Sequence, residues 1–132
     1  MERSIVSIVA YCDGGAKPNP GRIYGSFIVF EDGRVVDSIC LDFSTYTKIG
    51  TNNQAEYCAL IELLNYLNQR GYSDATIRMD SLLVINQVTN LWEVKQKKLR
   101  DLKLTVDQFL KLLGDIQFEH IAESRMKKIL GH

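Results

Sequence analysis

Short apolar runs, rich in β-branched and aromatic residues, fill the first third of the chain and predict three successive strands. The first run starts at Ile5 and leads into Asp13, and two further runs cover residues 24–30 and 35–43. An Asp-Gly pair at positions 32–33 separates these two runs and is typical of a tight hairpin turn. Three strands joined in this way predict an antiparallel meander.

Apolar positions then change to three- and four-residue intervals, which are typical of a helix with one buried face. This spacing predicts a helix over residues 54–70, with Thr51 or Asn52 as its N-terminal cap and Gly71 at its end. The short strand after this helix is expected to run parallel to the first strand. The later predicted elements are a strand at 75–79, helices at 81–88 and 95–113, a strand at 116–121 and a helix at 124–130.

With 132 residues, of which 45% are hydrophobic, the composition is typical of one globular domain covering residues 1–132. No apolar run approaches the ~20 residues needed to cross a bilayer, and the first residues lack the form of a signal peptide. The three cysteines, Cys12, Cys40 and Cys58, lie in apolar patterns, so we expect them to be reduced and buried in a cytoplasmic protein. We expect no membrane partner and no obligate protein partner.

Acidic and basic residues are balanced at 16 each, which gives a formal net charge of zero. This balance argues weakly against a protein that binds nucleic acid over its whole surface. A local basic patch remains compatible with it.

Three acidic residues in separate parts of the chain are the main candidates for chemistry. Asp13 follows the first apolar run, Glu56 lies in the first turn of the long helix, and Asp80 follows the fourth strand. If the first and fourth strands are parallel neighbours, Asp13 and Asp80 meet at the carboxyl edge of the sheet, where α/β proteins bind ligands. Converging carboxylates repel one another unless cations lie between them, and an oxygen-only ligand set favours Mg²⁺. Taken alone, Asp13 is better explained as a turn cap.

Three short motifs, at residues 11–21, 51–56 and 79–88, occur in the order found in a known family. They read Tyr-Cys-Asp-Gly-Gly with Asn-Pro-Gly, Thr-Asn-Asn-Gln-Ala-Glu, and Met-Asp-Ser-Leu-Leu-Val-Ile-Asn-Gln-Val. With these motifs the chain resembles type 1 ribonuclease H (RNase HI), in the short form without an N-terminal hybrid-binding domain. The resemblance implies an α/β ribonuclease H-like fold. Its five-stranded mixed sheet has the order 3-2-1-4-5, with strand 2 antiparallel, and is flanked by helices.

The resemblance also implies an activity, which is cleavage of the RNA strand of RNA–DNA hybrids to leave 5′-phosphate and 3′-hydroxyl ends. Two Mg²⁺ ions, with Mn²⁺ as a substitute, would lie about 4 Å apart and clamp the attacking and leaving oxygens. Asp13 would bridge the ions, and Glu56 and Asp80 would complete the ligands, with the backbone of Gly14 as a tentative addition.

Neutral polar residues would bind the substrate, because amides and hydroxyls meet phosphates, base edges and 2′-hydroxyls without needing charge. The resemblance assigns this role to Gly15, Asn19, Thr51, Asn52, Asn53 and Gln54. For Thr51 and Asn52 the alternative is helix capping. For Asn53 and Gln54 it is an ordinary exposed first turn.

The C-terminal segment departs from the family, whose fourth metal carboxylate lies in the last helix. Aligned from Ile121, that position is Leu130, which cannot bind a metal. His132 is a tentative catalytic substitute, with a frayed terminus as the alternative, and Glu123 is a second candidate better explained as a favourable charge at a helix N-terminus. A site with only three carboxylates is the third outcome. The cations Arg125, Lys127 and Lys128 would touch phosphate or form a solvated helix face.

The segment from Leu91 to Leu104 carries five basic residues around Trp92. These cations would attract the DNA strand or form the outer face of a helix, and the second explanation is favoured. We expect Trp92 to be a core or hinge residue rather than a base-stacking platform.

Two other functions fit the same motifs. One is a hybrid-binding module with weak or absent catalysis, which Leu130 and the neutral net charge suggest. The other is a related nuclease or strand-transfer domain that acts on another nucleic acid. The neutral segment 51–56 favours a hybrid endonuclease, because a DNA-only enzyme has no need to sense 2′-hydroxyls.

Overall fold

The structure is a computed structural model that describes residues 6–131. Within that range the chain forms one five-stranded sheet and four helices. In chain order the elements are β1 (Ile8–Lys17), β2 (Arg22–Glu31), β3 (Arg34–Asp42), α1 (Asn52–Gln69), β4 (Ala75–Met79), α2 (Leu82–Val88), α3 (Lys97–Leu112), β5 (Ile116–His120) and α4 (Glu123–Leu130).

The sheet order is β3-β2-β1-β4-β5, which confirms the predicted order and the antiparallel second strand. β2 is antiparallel to both β1 and β3, whereas β4 is parallel to both β1 and β5. Asp32 and Gly33 have φ values of 50° and 80°, so they form the two-residue turn that the Asp-Gly pair predicted. The tight turn thus joins β2 and β3 in the antiparallel meander. The helix α1 then connects the meander to β4, which pairs in parallel with β1.

The main core lies between the sheet and α1, with α3 packed against the outer side of α1. Leu60, Leu63, Leu64 and Leu67 of α1 are all fully buried, as their three- and four-residue spacing predicted. Burial of such leucines stabilises the fold by about 2 kcal/mol each. The core therefore anchors α1 firmly on β1 and β2.

A second, smaller apolar cluster lies on the opposite face of the sheet, beneath α4. Met126 is fully buried there against Tyr11 and Ile28, and Leu130 packs at the edge of the same cluster. α4 contacts β1 and β2, so β3 has no helix above it on this face. The last helix therefore uses its inward side chains for packing.

Cys40 and Trp92 are both exposed. Cys40 was predicted to be buried but lies on the edge strand β3, on the face that α4 leaves open, whereas Cys12 and Cys58 are buried as predicted. Trp92 was predicted to be a core or hinge residue; it lies in the connection after α2 with half of its surface exposed, so it is not a core residue, and the hinge role stays a prediction. Within residues 6–131, no helix has both the length and the apolar character required to cross a membrane.

Candidate active site

Three carboxylates from separate parts of the chain meet at one edge of the sheet. Asp80 directly follows β4, and Glu56 lies in the second turn of α1. β1 does not end at Asp13, as the sequence suggested, but continues to Lys17 paired with β2 alone. Asp13 lies two residues beyond the β1–β4 pairing, where the sheet opens. One ligand oxygen from each carboxylate lies within 4.8 Å of the others.

Gly14 allows α1 to approach the sheet at this point. A Cβ atom on Gly14 would lie 2.2 Å from the carbonyl oxygen of Ala55 and 2.7 Å from the nitrogen of Glu56. The same glycine donates its backbone N–H to Oδ1 of Asp13 over 3.0 Å, which orients that carboxylate. The absence of a side chain at Gly14 thus lets Glu56 lie close to β1, and the N–H of Gly14 holds the Asp13 carboxylate in place.

The site is electrostatically costly without a cation. Glu56 is 8% exposed, and its burial, together with the charge of Asp13, raises its pKa to about 11. Burial and the charges of Asp13 and Glu123 raise the pKa of Asp80 to about 6. Glu56 and Asp80 therefore keep their protons to a higher pH than carboxyl groups in water do.

A divalent cation fits this arrangement. The Oε2 atom of Glu56 is buried and has no hydrogen-bond partner, which is costly unless something binds it. The clustered ligand atoms are all carboxylate oxygens, which suit Mg²⁺ or Mn²⁺ rather than Zn²⁺. The residues present are thus compatible with the cation that the resemblance implies.

Two of the predicted substrate-binding asparagines join the end of β1 to the start of α1. Oδ1 of Asn52 accepts the backbone N–H of Ala16 at 2.8 Å, and Oδ1 of Asn19 accepts the backbone N–H of Asn52 at 3.1 Å. Both asparagines are exposed, so their side chains are accessible to solvent. Their oxygens are structural, and their amide donors are available to a ligand.

Thr51 and Gln54 form a reciprocal capping box at the start of α1. Oγ1 of Thr51 accepts the backbone N–H of Gln54, and Oε1 of Gln54 accepts the backbone N–H of Thr51 at 2.9 Å. Asn53 lines a different surface, a groove that also contains Leu83 and Trp92. Thr51 and Gln54 therefore have a structural role at the start of α1, and Asn53 lies on that groove.

The last helix places no carboxylate in the cluster. Leu130 packs in the apolar cluster beneath α4, and His132 lies outside the described residues. Glu123 lies in the first turn of α4 and pairs with Lys127 at 3.3 Å, consistent with the preferred helix-terminus interpretation. Its charge still reaches Asp80, whose pKa it raises.

Sequence reasoning missed two features beside the carboxylates. His120, the last residue of β5, lies 3.1 Å from the backbone carbonyl of Asp80 through its Nε2 atom. A cavity of about 810 Å³ opens next to Asp13 and is lined by Lys17, Tyr24 and Cys40 among others. Both depend on strand register, so no short motif could have revealed them.

Comparison with known proteins agrees with this geometry. Residues 12–127 match the family model described as reverse transcriptase-like. The crystal structure of RNase H1 from the halophilic archaeon Halobacterium salinarum superposes with a TM-score of 0.84 at 30% identity, covering 92% of this chain and 89% of that one. The chain belongs to the ribonuclease HI family.

Other ribonuclease HI proteins are similar to this chain over most of its length. The structure of LC11-RNase H1 in complex with an RNA/DNA hybrid has a TM-score of 0.83 at 26% identity, covering 92% of this chain and 90% of that chain. The curated Halobacterium salinarum ribonuclease HI is 34% identical over 85% of this chain. The chain spans 55% of the length of that curated relative and 32% of the mycobacterial relatives it also matches.

Proposed function

We propose that this protein is an endonuclease that cleaves the RNA strand of RNA–DNA hybrids and leaves 5′-phosphate and 3′-hydroxyl ends. The observation that carries the proposal is the meeting of Asp13, Glu56 and Asp80, whose ligand oxygens lie within 4.8 Å of one another. Membership of the ribonuclease HI family supports a nuclease role for this carboxylate cluster. Binding of a hybrid by a family member of similar fold supports the choice of substrate.

Asp13, Glu56 and Asp80 would hold Mg²⁺, with Mn²⁺ as a substitute. When bound, the cations supply Lewis acidity at the scissile phosphate and at the attacking water. A bound cation would favour the ionised form of Glu56, against the burial and the charge of Asp13 that raise its pKa. The N–H of Gly14 keeps the Asp13 carboxylate oriented toward the same point.

The amide nitrogens of Asn19 and Asn52 would position the RNA strand. Their oxygens are occupied by backbone N–H groups, so each side chain is held in one orientation with its donors turned outward. Amide donors suit 2′-hydroxyl and phosphate oxygens, which a hybrid presents along its RNA strand. Because Asn52 lies next to Gly15, two residues along β1 from Asp13, a strand held there would pass the carboxylates.

Cleavage of an end-labelled RNA–DNA hybrid in Mg²⁺ tests the proposal. The wild type should produce internal RNA cuts with 3′-hydroxyl ends, while Asp13→Asn should reduce the rate by roughly 100-fold or more, as expected from losing electrostatic stabilisation in a dry site. Asp37→Asn is a matched control, because this carboxylate pairs with Arg70 at 3.4 Å, at the opposite end of α1 from Glu56. A wild type that cuts no faster than Asp13→Asn would overturn the enzyme proposal.

Substrate competition separates the hybrid endonuclease from a nuclease that acts on other nucleic acids. Unlabelled hybrid should compete fully, whereas duplex DNA, which lacks 2′-hydroxyls, should compete poorly. Equal competition by DNA would favour the alternative nuclease. Tight hybrid binding without cutting would favour the hybrid-binding module.

A further inference from the structure

We propose that the cavity beside Asp13 is a subsite for one unpaired nucleotide of the cleaved strand, a proposal that extends the function proposed above. The cavity has a volume of about 810 Å³. This volume falls in the range of small-molecule sites and exceeds what packing defects produce. We call it the β1–β3 cavity, since its floor is formed by strands β1, β2 and β3.

Strand register gives the cavity a defined length. Asp13 is paired with Ser26, and Ser26 is paired with Cys40, so these three side chains form a row on one face of the sheet. Two strand spacings separate the ends of the row, which places Cys40 about 10 Å from Asp13. A single nucleotide, measured from phosphate to base, spans a comparable distance.

The walls of the cavity have the chemistry of a nucleotide site. Lys17 and Lys127 line it from β1 and α4, and each presents an ammonium group to a phosphate. Tyr24 supplies an aromatic ring for a base. The remaining carboxylate in the wall, Asp42, is paired with Arg22 and so contributes little net negative charge.

The departure of α4 from the family pattern contributes to this site. α4 packs Leu130 against the smaller apolar cluster, at the position where the resemblance implies an acid, and Lys127 lines the cavity instead. Lys127 is 59% exposed and pairs only with the exposed Glu123, so a phosphate can replace that partner at little cost. The cation bound at Asp13 would add positive charge to the same end of the cavity.

Cys40 provides a natural reporter for the test, because it is exposed in the cavity wall while Cys12 and Cys58 are buried. The rate of Cys40 alkylation is measured with the Glu56→Gln variant, chosen to suppress cutting, alone and with saturating RNA–DNA hybrid that carries an RNA overhang. A second arm uses the wild type with adenosine 5′-monophosphate, and a third uses inorganic phosphate. We expect both nucleotide probes to slow alkylation several-fold and phosphate alone to have little effect.

Lys127→Gln and Lys128→Gln form a matched pair, since the two lysines are neighbours on α4 and only Lys127 lines the cavity. Lys127→Gln should weaken protection of Cys40 and lower the salt dependence of hybrid binding by about one unit of slope, as for the loss of one phosphate contact. Lys128→Gln should leave the protection of Cys40 unchanged.

The arms distinguish failure of this subsite from failure of the proposed function. If anisotropy shows that the hybrid binds while neither nucleotide probe slows Cys40 alkylation, the subsite proposal is overturned and the proposed function stands. If the hybrid does not bind, the proposed function fails, and the subsite for the cleaved strand fails with it even where adenosine 5′-monophosphate protects Cys40. Equal protection by phosphate alone, or equal effects of the two lysine variants, would also overturn the subsite.

Discussion

At the scale of single residues, Glu56 carries much of the electrostatic cost of the site. Its carboxyl group is buried, Oε2 has no hydrogen-bond partner, and Asp13 lies against it. An isolated buried carboxylate is tolerated only when it is protonated or bound to a cation. Glu56 therefore links three properties of the protein, namely its stability, its proton uptake and its affinity for a divalent cation.

The stability of the metal-free protein should fall as the pH rises from about 5 to 8. The folded state holds the Glu56 proton with a pKa of about 11, whereas the ordinary value is 4.5, so above pH 4.5 the folded state binds more protons than the unfolded state. Asp80 adds to the fall between its ordinary value of 3.8 and about 6. Chemical denaturation in EDTA at a series of pH values measures this dependence.

Glu56→Gln is the control for that measurement, because an amide of similar shape has no proton to lose. The variant should show a flatter pH profile than the wild type and should be the more stable of the two at pH 8 without metal. Parallel profiles for both proteins would contradict the assignment of the effect to Glu56.

Gly14 and Gly15 provide a second residue-scale test, because they are neighbours with different surroundings. Gly14→Ala should destabilise the protein by about 1–3 kcal/mol, since its Cβ would lie 2.2 Å from a backbone oxygen of α1. Gly15→Ala should cost far less, because the nearest atom to its Cβ would be the hydroxyl of Tyr24 at 3.8 Å. Equal thermal unfolding of the two variants would show that α1 does not hold this close approach.

At the scale of elements, the junction between β1 and α1 determines where the carboxylates of the cluster lie. The capping box of Thr51 and Gln54 fixes the first turn of α1, and Asn52 ties that turn to Ala16. A short sequence motif thus encodes both a helix start and a link to the sheet. Its residues look like substrate ligands in sequence and act partly as structural groups in the fold.

Asn52→Asp separates those two roles. The carboxylate keeps the oxygen that accepts the N–H of Ala16, so stability should change by less than about 1 kcal/mol. Hybrid affinity should fall roughly tenfold, because the amide donor is lost and a negative charge faces phosphates. Asn52→Ala should instead lose both stability and affinity. If Asn52→Asp binds hybrid as well as the wild type, Asn52 has no substrate role.

Most elements were predictable from local patterns, because each is encoded by residues close in sequence. The Asp-Gly turn and the apolar spacing of α1 identified the meander and the long helix. The ends of α3 were misplaced by one or two residues, since the flanking positions Lys95 and Leu113 continue its amphipathic pattern without forming helix.

At the scale of the whole molecule, the pairing register between strands fixes the positions of side chains that local sequence patterns do not predict. An irregularity between Val29 and Phe30 shifts the pairing of β2 with β3 by one residue, so Ser26 is paired with Cys40 instead of Ile39. This shift places Cys40 on the open face of the sheet. The position of Asp13 within β1, and the cavity beside it, likewise depend on contacts between distant strands.

The carboxylate cluster was predictable despite this limit, because it depends on topology and not on detailed register. Parallel β1 and β4 place Asp13 and Asp80 at the same edge of the sheet in any arrangement with this strand order. The crossover helix α1 then needs only Gly14 to approach closely enough for Glu56 to join them.

The most direct test of the account is a calorimetric titration of the wild type with Mn²⁺, compared with Asp13→Asn, Glu56→Gln and Asp80→Asn. The account predicts at least one bound cation per chain in the wild type and a loss of affinity of roughly tenfold or more in each variant, because each removes one ligand of a shared site. Absence of cation binding by the wild type, or undiminished affinity in the three variants, would contradict it.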